Sequence, residues 1–233
     1  MRFRPLIPMA ASQSAPSRAV VEALVRQAVY RRLGRPAPDA SAAPNPLVVN
    51  VSARHCHVTQ EALERLFGKG HQLTVARPLY QTGHFAAHET VTLIGPRSRM
   101  ISNLRILGPC RKYTQVELAY TDGIALGFDL PHRISGNIAG TLGAMLMGPA
   151  GFYEMTEGVI RAMRHVHMGP ADAAYYGVQA GDIMKLNVGG PGAITLDKLL
   201  VRIDPESKLE VHIDTDEGNA CNLQPDTPCE LLR

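Results

Sequence analysis

From residue 46 onward, hydrophobic and polar residues follow one another in short runs that glycine and proline separate. Alternation with a period of two is typical of strands that bury one face, and Gly-Pro pairs end such strands in turns. The runs that predict strands are PLVVNVSA, HQLTV, ETVTLIGP, NLRILGP, TQVELAYT, GAMLMGP, DIMKLNVGG, KLLVRID and KLEVHIDT. Helical spacing is confined there to TQEALERLF, which Thr59 would cap, and PADAAYYG. Many short strands favour barrels or sandwiches, so we expect a mainly β fold with short capping helices.

The first 46 residues differ from the rest of the chain, because they are rich in Ala, Pro, Ser and Arg. Between residues 18 and 33, apolar residues recur at helical spacing opposite charged ones, and Ser17 is suited to cap this helix. The Pro/Ala stretch that follows cannot continue the helix and is typical of a linker. Three interpretations of this amphipathic helix stay open: packing on its own protein, docking on another protein, and a mitochondrial-type presequence.

Composition excludes several classes of function. The 233-residue chain has a net charge of +3, 19% charged and 5% aromatic residues, so it lacks the basic face and stacking platform of nucleic-acid-binding proteins. No apolar stretch reaches the roughly 20 residues that a membrane span needs, and no secretory signal is evident, so we expect a cytosolic protein. The four cysteines form no Cys-x-x-Cys pair, which favours reduced thiols over disulfides or a thiolate zinc site.

A pair of histidines occurs twice, in RHCH from Arg54 and in RHVH from Arg164, and each pair precedes a short amphipathic segment. Residues i and i+2 of a strand share a face, so both histidines of a pair can point into one site. A second duplicated stretch sets VELAYTD over VHIDTD and aligns Glu117 with His212. A single pair would be best explained by ordinary hydrogen-bonded histidines, but a repeated pair in a repeated unit favours metal ligands.

The repeated pattern yields more candidate ligands than one tetrahedral ion needs, and it suits two ions with open positions. Neutral imidazole is the commonest protein ligand of zinc-like ions, and carboxylates complete such coordination spheres. The candidates are His55, His57, Glu117, His165, His167 and His212. The histidines without a repeat partner are expected to have ordinary structural roles: His71, His84, His88 and His132.

Several motifs, in the same order along the chain, are similar to those of one known family: NVSARHCHVTQEAL, ETVTLIGP, LRILGPCRKYTQVEL, SGNIAGTLGAMLMGP, RHVHMGPADAAYYGVQAGD and EVHIDTDEGNA. Over nearly all of residues 47–224 the chain resembles the PduL-type phosphotransacylases. The resemblance implies two β-barrels, a dinuclear zinc site, and exchange of a propanoyl or acetyl group between coenzyme A and inorganic phosphate. It also implies that the N-terminal helix is an encapsulation peptide, because members inside bacterial microcompartments carry one.

The resemblance further implies roles for individual residues. The first zinc would be held by His55 and His57, and the second by Glu117, His165, His167 and His212. Zinc suits the soft thiolate that leaves the thioester, and Arg111 is the candidate for phosphate because an arginine fork matches phosphate oxygens. The residues implied for coenzyme A are Ser52, Arg77, Arg105, Leu107, His212 and Asn219.

The expected organisation is a helix and linker over residues 1–46, a first barrel unit over 47–158 and a second over 159–233, and exchange of the strand at 47–53 between the units stays open. We expect a homodimer or larger homo-oligomer inside a microcompartment in the bacterial cytoplasm, with shell or cargo proteins bound through residues 18–33.

Two other functions stay open. A dinuclear zinc hydrolase would cleave a phosphoester or amide without coenzyme A, and in a shell-associated scaffold zinc would only brace the fold.

Overall fold

The computed structural model describes residues 45–233 and a few positions nearer the N-terminus. Those positions are all helical: Val21, Leu24, Val25, Ala28, Val29, Arg31 and Arg32. The other residues of the predicted N-terminal helix, and the predicted linker up to residue 44, lie outside the described residues. From residue 44 to the end, the chain forms one unit, and the boundary expected between residues 158 and 159 stays a prediction.

The first half of this unit builds a closed barrel. Its six strands pair in the cyclic order β4-β5-β2-β6-β9-β8, and the ring closes because β8 pairs with both β9 and β4. Strands β3 and β7 extend the sheet beside β4 and β9. The bounds are β2 His55–His57, β3 Val75–Pro78, β4 Phe85–Ile94, β5 Met100–Gly108, β6 Gln115–Glu117, β7 His132–Arg133, β8 Leu142–Met147 and β9 Phe152–Ala162.

The second sheet is open and has the shape of a half-barrel. Its order is β1-β13-β10-β12-β11-β14, with its own buried core that includes Val166, Leu199 and Val211. Strand β1 precedes the barrel in sequence but pairs in parallel with β13 of this second sheet. The bounds are β1 Val48–Ser52, β10 His165–Met168, β11 Ile183–Val188, β12 Ile194–Ile203, β13 Glu210–Asp214 and β14 Cys229–Leu232.

Four short helices each follow a strand that carries a candidate ligand: α1 Gln60–Phe67 after β2, α2 Tyr120–Leu126 after β6, α3 Pro170–Tyr176 after β10, and α4 Thr215–Ala220 after β13. The predicted cap of α1 is confirmed, since Thr59 Oγ1 accepts a hydrogen bond from the Ala62 amide at 3.0 Å. In α4, Asp214 and Glu217 form a reciprocal capping box. Among the described residues, no helix has the length and apolar character needed to cross a membrane.

The predicted fold class is confirmed, with two related barrel-like halves and short helices. Helices α2 and α4 were not predicted, because each is at most seven residues long and has an interior glycine, Gly123 or Gly218, which lowers helix propensity. Strand β9 was also missed. Before Gly158, buried and more exposed residues of β9 follow one another irregularly, and from Gly158 to Arg161 every residue is buried. The strand therefore lacks the alternation of hydrophobic and polar residues that predicts a strand.

Candidate metal centres and the cleft between them

The first histidine pair forms a cluster with a carboxylate from the neighbouring strand. In the antiparallel pair β2–β6, His55 lies directly opposite Glu117 and His57 lies opposite Gln115. His55 Nε2 is 3.6 Å from Glu117 Oε2, and one donor atom from each of His55, His57 and Glu117 lies within 4.8 Å of the others. Both histidines are buried. This three-residue group is the first cluster.

The second cluster repeats this arrangement in the other sheet. In the antiparallel pair β10–β13, His165 lies opposite His212 and His167 lies opposite Glu210. The Nε2 atoms of His165 and His167 are 3.1 Å apart, and donor atoms of these two residues and His212 lie within 4.8 Å of one another. The structure therefore groups Glu117 with the first pair, not with the second pair as the resemblance implied, because β6 hydrogen-bonds to β2.

Backbone carbonyls fix the proton positions of several imidazoles. His55 Nδ1 is 2.8 Å from the Ala53 carbonyl, and His165 Nδ1 makes the same 2.8 Å contact with the carbonyl two residues before it. His57 Nδ1 lies 3.1 Å from the Leu107 carbonyl. A carbonyl only accepts, so Nδ1 carries the proton of the neutral ring and Nε2 keeps a lone pair. In all three rings, Nε2 is thus the atom free to bind a metal.

His212 supplies the clearest evidence that these donors fit a cation. Its Nδ1 is 3.0 Å from Ser52 Oγ, while its Nε2 is buried without a hydrogen-bond partner among the described residues. Glu210 Oε2 is only 3.0 Å from that Nε2. A buried carboxylate is stabilised by a positive charge beside it, and a bound cation would supply that charge. Imidazole and carboxylate donors in this arrangement fit a zinc-like ion.

The electrostatics keep the donors in the forms that bind metal. Burial lowers the pKa of His57 to about 3, of His167 to about 3 and of His165 to about 4, so these rings are neutral near pH 7. Burial alone would raise the pKa of Glu117, but His55, His57 and the Ser135 hydroxyl outweigh it and lower this pKa to about 2. Glu117 is therefore a carboxylate at neutral pH.

The two clusters meet at one narrow cleft, whose internal volume is about 20 Å³. Its walls include Glu117 from the first cluster and His165 and His212 from the second. The family model described as phosphate propanoyltransferase matches residues 48–224.

The chain belongs to the phosphate propanoyltransferase family.

Curated relatives of that name are similar over most of their length. One from Planctopirus limnophila is 56% identical over 224 residues, which cover 93% of this chain and 92% of the relative. One from Thermotoga maritima is 48% identical over 178 residues, or 76% of this chain and 84% of the relative. One from Salmonella typhimurium is 42% identical over 189 residues, or 81% and 88%. The family expected from the sequence motifs is thus confirmed.

Arg111 and Arg202 act on the clusters through their positive charges. Arg111 is half-buried, and its positive charge helps to lower the pKa of His57 in the first cluster. The positive charge of Arg202 repels that of Arg111. Arg202, which the sequence analysis missed, is next to His167 in the parallel pair β10–β12, and its charge acts on both His165 and His167. In the first half, the paired positions of β2 and β5 place an arginine beside His55 and not beside His57, so duplication gave no signal for Arg202.

Two of the six residues implied for coenzyme A line the cleft, and the other four are not among its lining residues. Ser52 and His212 line it. Arg105 is next to His55 in the pair β2–β5, and its Nη1 donates to two carbonyls of β4, at 2.8 and 2.9 Å. Leu107 contributes the carbonyl that holds His57. Two others are exposed and are not among the lining residues: Arg77 and Asn219.

A network of buried ions joins the two sheets behind the second cluster. Arg161 of β9 binds Asp214 through Nε at 2.6 Å and Glu217 through Nη2 at 2.9 Å. Arg164, which directly precedes His165, binds the same Glu217 oxygen through Nη2 at 2.7 Å. Arg161 and Glu217 are 8% and 6% exposed, so little solvent screens these pairs. The network fixes α4 and β13 against β9.

Proposed function

We propose that this protein transfers an acyl group, propanoyl or acetyl, between coenzyme A and inorganic phosphate, with one zinc ion held by each cluster. The observation that carries the proposal is that Glu117 of the first cluster and His165 of the second line the same cleft, so the two clusters lie next to each other. Similarity to relatives named phosphate propanoyltransferase supports the choice of reaction. The first zinc would be held by His55, His57 and Glu117, and the second by His165, His167 and His212.

In the proposed reaction, a phosphate oxygen attacks the thioester carbonyl carbon, and the carbon–sulfur bond breaks to release the thiolate. Bound zinc would lower the energy of that thiolate and offset the charge of the phosphate. The carbonyls that hold Nδ1 of His55 and His165 orient both rings before substrate binds. Arg111 and Arg202 would bind the phosphate oxygens. Phosphate dianion is itself the nucleophile, so no general base is assigned.

Coenzyme A is proposed to bind along the cleft and the barrel edge through the residues that the resemblance implies: Ser52, Arg77, Arg105, Leu107, His212 and Asn219. Ser52 and His212 already contact each other at 3.0 Å in the cleft, which supports a shared role there. Arg77 is exposed on the short edge strand β3 and is free to meet a phosphate of the coenzyme at the surface.

One assay separates this function from the alternatives. Purified protein is given acetyl or propanoyl phosphate with and without coenzyme A, and acyl-CoA and free acid are both measured. We expect acyl-CoA to form only when the thiol is present. A zinc hydrolase would release acid at the same rate without coenzyme A, and a scaffold would form neither product. Comparing the two acyl phosphates would settle the preferred chain length.

Arg111→Ala is expected to weaken the use of phosphate while both zinc ions stay bound, because Arg111 would act on the anion and not on the metal. Losing hydrogen bonds to a charged group costs about 1.5–3 kcal/mol, so kcat/KM for phosphate should fall roughly 10- to 100-fold. Steady-state kinetics with varied phosphate and elemental analysis would measure the two effects. Arg97→Ala, in an exposed turn, is the control. Unchanged kinetics at low phosphate would mean that Arg111 does not bind this substrate.

We further propose that residues 18–33 dock on shell or cargo proteins, so that the enzyme works inside a bacterial microcompartment, and that the chain forms a homodimer or larger homo-oligomer. The described positions of the helix support docking, since Leu24 and Val25 are 60% and 57% exposed. The division into units at residues 47–158 and 159–233 is kept as a proposal, with β1 contributed to the second sheet.

Deleting residues 1–43 is expected to leave zinc content and turnover nearly unchanged and to abolish packaging. This cut keeps Asn45, whose amide and side-chain nitrogens both donate to the buried Asp172 carboxylate at 2.9 Å and anchor the start of the described fold. The measurements are activity, light scattering, and co-purification with a microcompartment. The deletion should also reduce self-association, because the apolar stripe is lost. Packaging equal to that of the full chain would contradict the docking proposal.

A further inference from the structure

The three candidate ligands of each cluster and one further side chain form a square. That further residue, which is not among the candidate ligands, is called the fourth corner. On one face of β2–β6 the corners are His55 opposite Glu117 and His57 opposite Gln115. On one face of β10–β13 they are His165 opposite His212 and His167 opposite Glu210. Directly opposed residues and residues two apart share a face, so each set forms a square of four neighbouring side chains. Gln115 and Glu210 therefore occupy the same corner of the two squares.

The fourth corner of the first cluster is a fully buried amide that holds the ligand beside it. Gln115 Nε2 donates to Glu117 Oε1 at 2.6 Å and to Ser135 Oγ at 2.9 Å. Gln115 Oε1 accepts from the Gly136 amide at 2.8 Å, which fixes the orientation of the side chain. These contacts occupy Oε1 of Glu117 and leave its Oε2 facing His55. The neutral amide orients a ligand that already carries the negative charge.

The fourth corner of the second cluster is a carboxylate that is 1% exposed. Glu210 Oε1 accepts from Asn50 Nδ2 at 3.1 Å, and its Oε2 accepts from Gln81 Nε2 at 2.8 Å. The same Oε2 lies 3.0 Å from His212 Nε2, the buried nitrogen without a hydrogen-bond partner. Two amides thus hold a negative charge against the nitrogen that would bind the ion. Burying a carboxylate without a positive partner raises the free energy of the folded protein, so a cation bound beside Glu210 would stabilise it.

We propose that Glu210 is a positioning residue of the second metal centre, which supplies beside the ion the negative charge that the three histidine ligands lack. The inference rests on the proposed function, since it concerns the ion in the second cluster. In the first centre, Glu117 is both ligand and charge, so the corner residue is the neutral Gln115. In the second centre these two properties are divided between His212 and Glu210. Each centre then contains one carboxylate, which offsets the positive charge of the divalent ion to the same extent in both centres.

The test is the zinc affinity of each centre in the full-length protein with Glu210→Gln, which keeps the shape of the side chain and removes its charge. Zinc is measured by elemental analysis after dialysis against buffers of fixed free zinc, and by anomalous scattering from crystals at the zinc edge, which assigns each ion to its cluster. Substituting an outer partner of a ligand typically lowers metal affinity 10- to 100-fold, so we expect a loss of that size at the second centre alone. Glu206→Gln, in an exposed turn of the same half, is the matched control.

Two further variants keep the inference testable if Glu210→Gln folds poorly, which thermal unfolding would reveal. Glu210→Asp keeps the charge and should bind the second zinc more tightly than Glu210→Gln. Gln81→Ala removes the amide that holds Oε2, together with two hydrogen bonds to the Lys208 backbone, and it should weaken the second zinc by less than the charge removal does. Wild-type affinity at the second centre in a folded Glu210→Gln or Gln81→Ala protein would overturn the role of Glu210 and leave the proposed function standing. A wild-type protein that binds no zinc would refute the dinuclear site itself, and the inference with it.

Discussion

The His165→Ala variant is expected to lose about one zinc ion per chain and almost all acyl transfer. His165 lies opposite His212 and 3.1 Å from His167 through their Nε2 atoms, so it touches both other ligands of the second cluster. An alanine removes one of the three histidine donors of this cluster. Loss of an outer partner alone typically costs 10- to 100-fold in affinity or activity, so loss of a ligand should lower kcat/KM by more than about 100-fold.

Elemental analysis and the acyl-CoA assay on the same protein sample would measure both effects of His165→Ala. Removing a histidine that is not a ligand provides the control, and the exposed His88 on β4 serves this purpose. His88→Ala should keep two zinc ions and full activity. If His165→Ala kept two zinc ions, the assignment of His165 as a ligand would be wrong.

Glu217→Gln is expected to lower the free energy of unfolding by about 3 kcal/mol, because removing one partner of a buried ion network leaves other charges uncompensated. The carboxylate of Glu217 binds both Arg161 and Arg164, and only Arg161 keeps a second carboxylate, that of Asp214. Glutamine preserves the size of the side chain, so the loss reports mainly on charge. For a protein of this size, the melting temperature should fall by about 6–12 °C.

Asp216→Asn is the matched control for the stability measurement. Asp216 is adjacent in sequence and binds the Thr121 amide and hydroxyl in a solvent-exposed contact, so its substitution should cost less than about 1 kcal/mol. Chemical denaturation of both variants would compare the two effects. Equal, small losses would show that the Arg161–Glu217–Arg164 network does not hold the two sheets together.

The candidate ligands could be predicted from the sequence because the chain repeats them. Each half contains one His-x-His pair at strand spacing and, further along, one candidate ligand directly after a valine: Glu117 or His212. These positions form three corners of each square. Periodicity shows which residues share a face of one strand, but it does not show which strands pair. The grouping of Glu117 with the second pair came from the family resemblance. Gln115, Arg202 and Glu210 were missed, since only the register between strands places them beside ligands.

The fold could be predicted only at the level of class. Short alternating runs favoured barrels, and the closed ring and the half-barrel confirm that expectation. The closure itself depends on β8 pairing with both β4 and β9, and the second sheet depends on β1 pairing with β13 at a sequence separation of more than 150 residues. Such long-range pairings leave no local periodicity in the sequence, so no run of residues indicates them.

The most direct test of the central claim is a zinc titration of the metal-free protein with acyl-CoA formation as the readout. We predict no transfer without zinc, little at one ion per chain, and full activity when two ions per chain are bound, always dependent on added coenzyme A. Full activity of the metal-free protein, or a maximum already reached at one ion per chain, would contradict a reaction carried out between two matched metal centres.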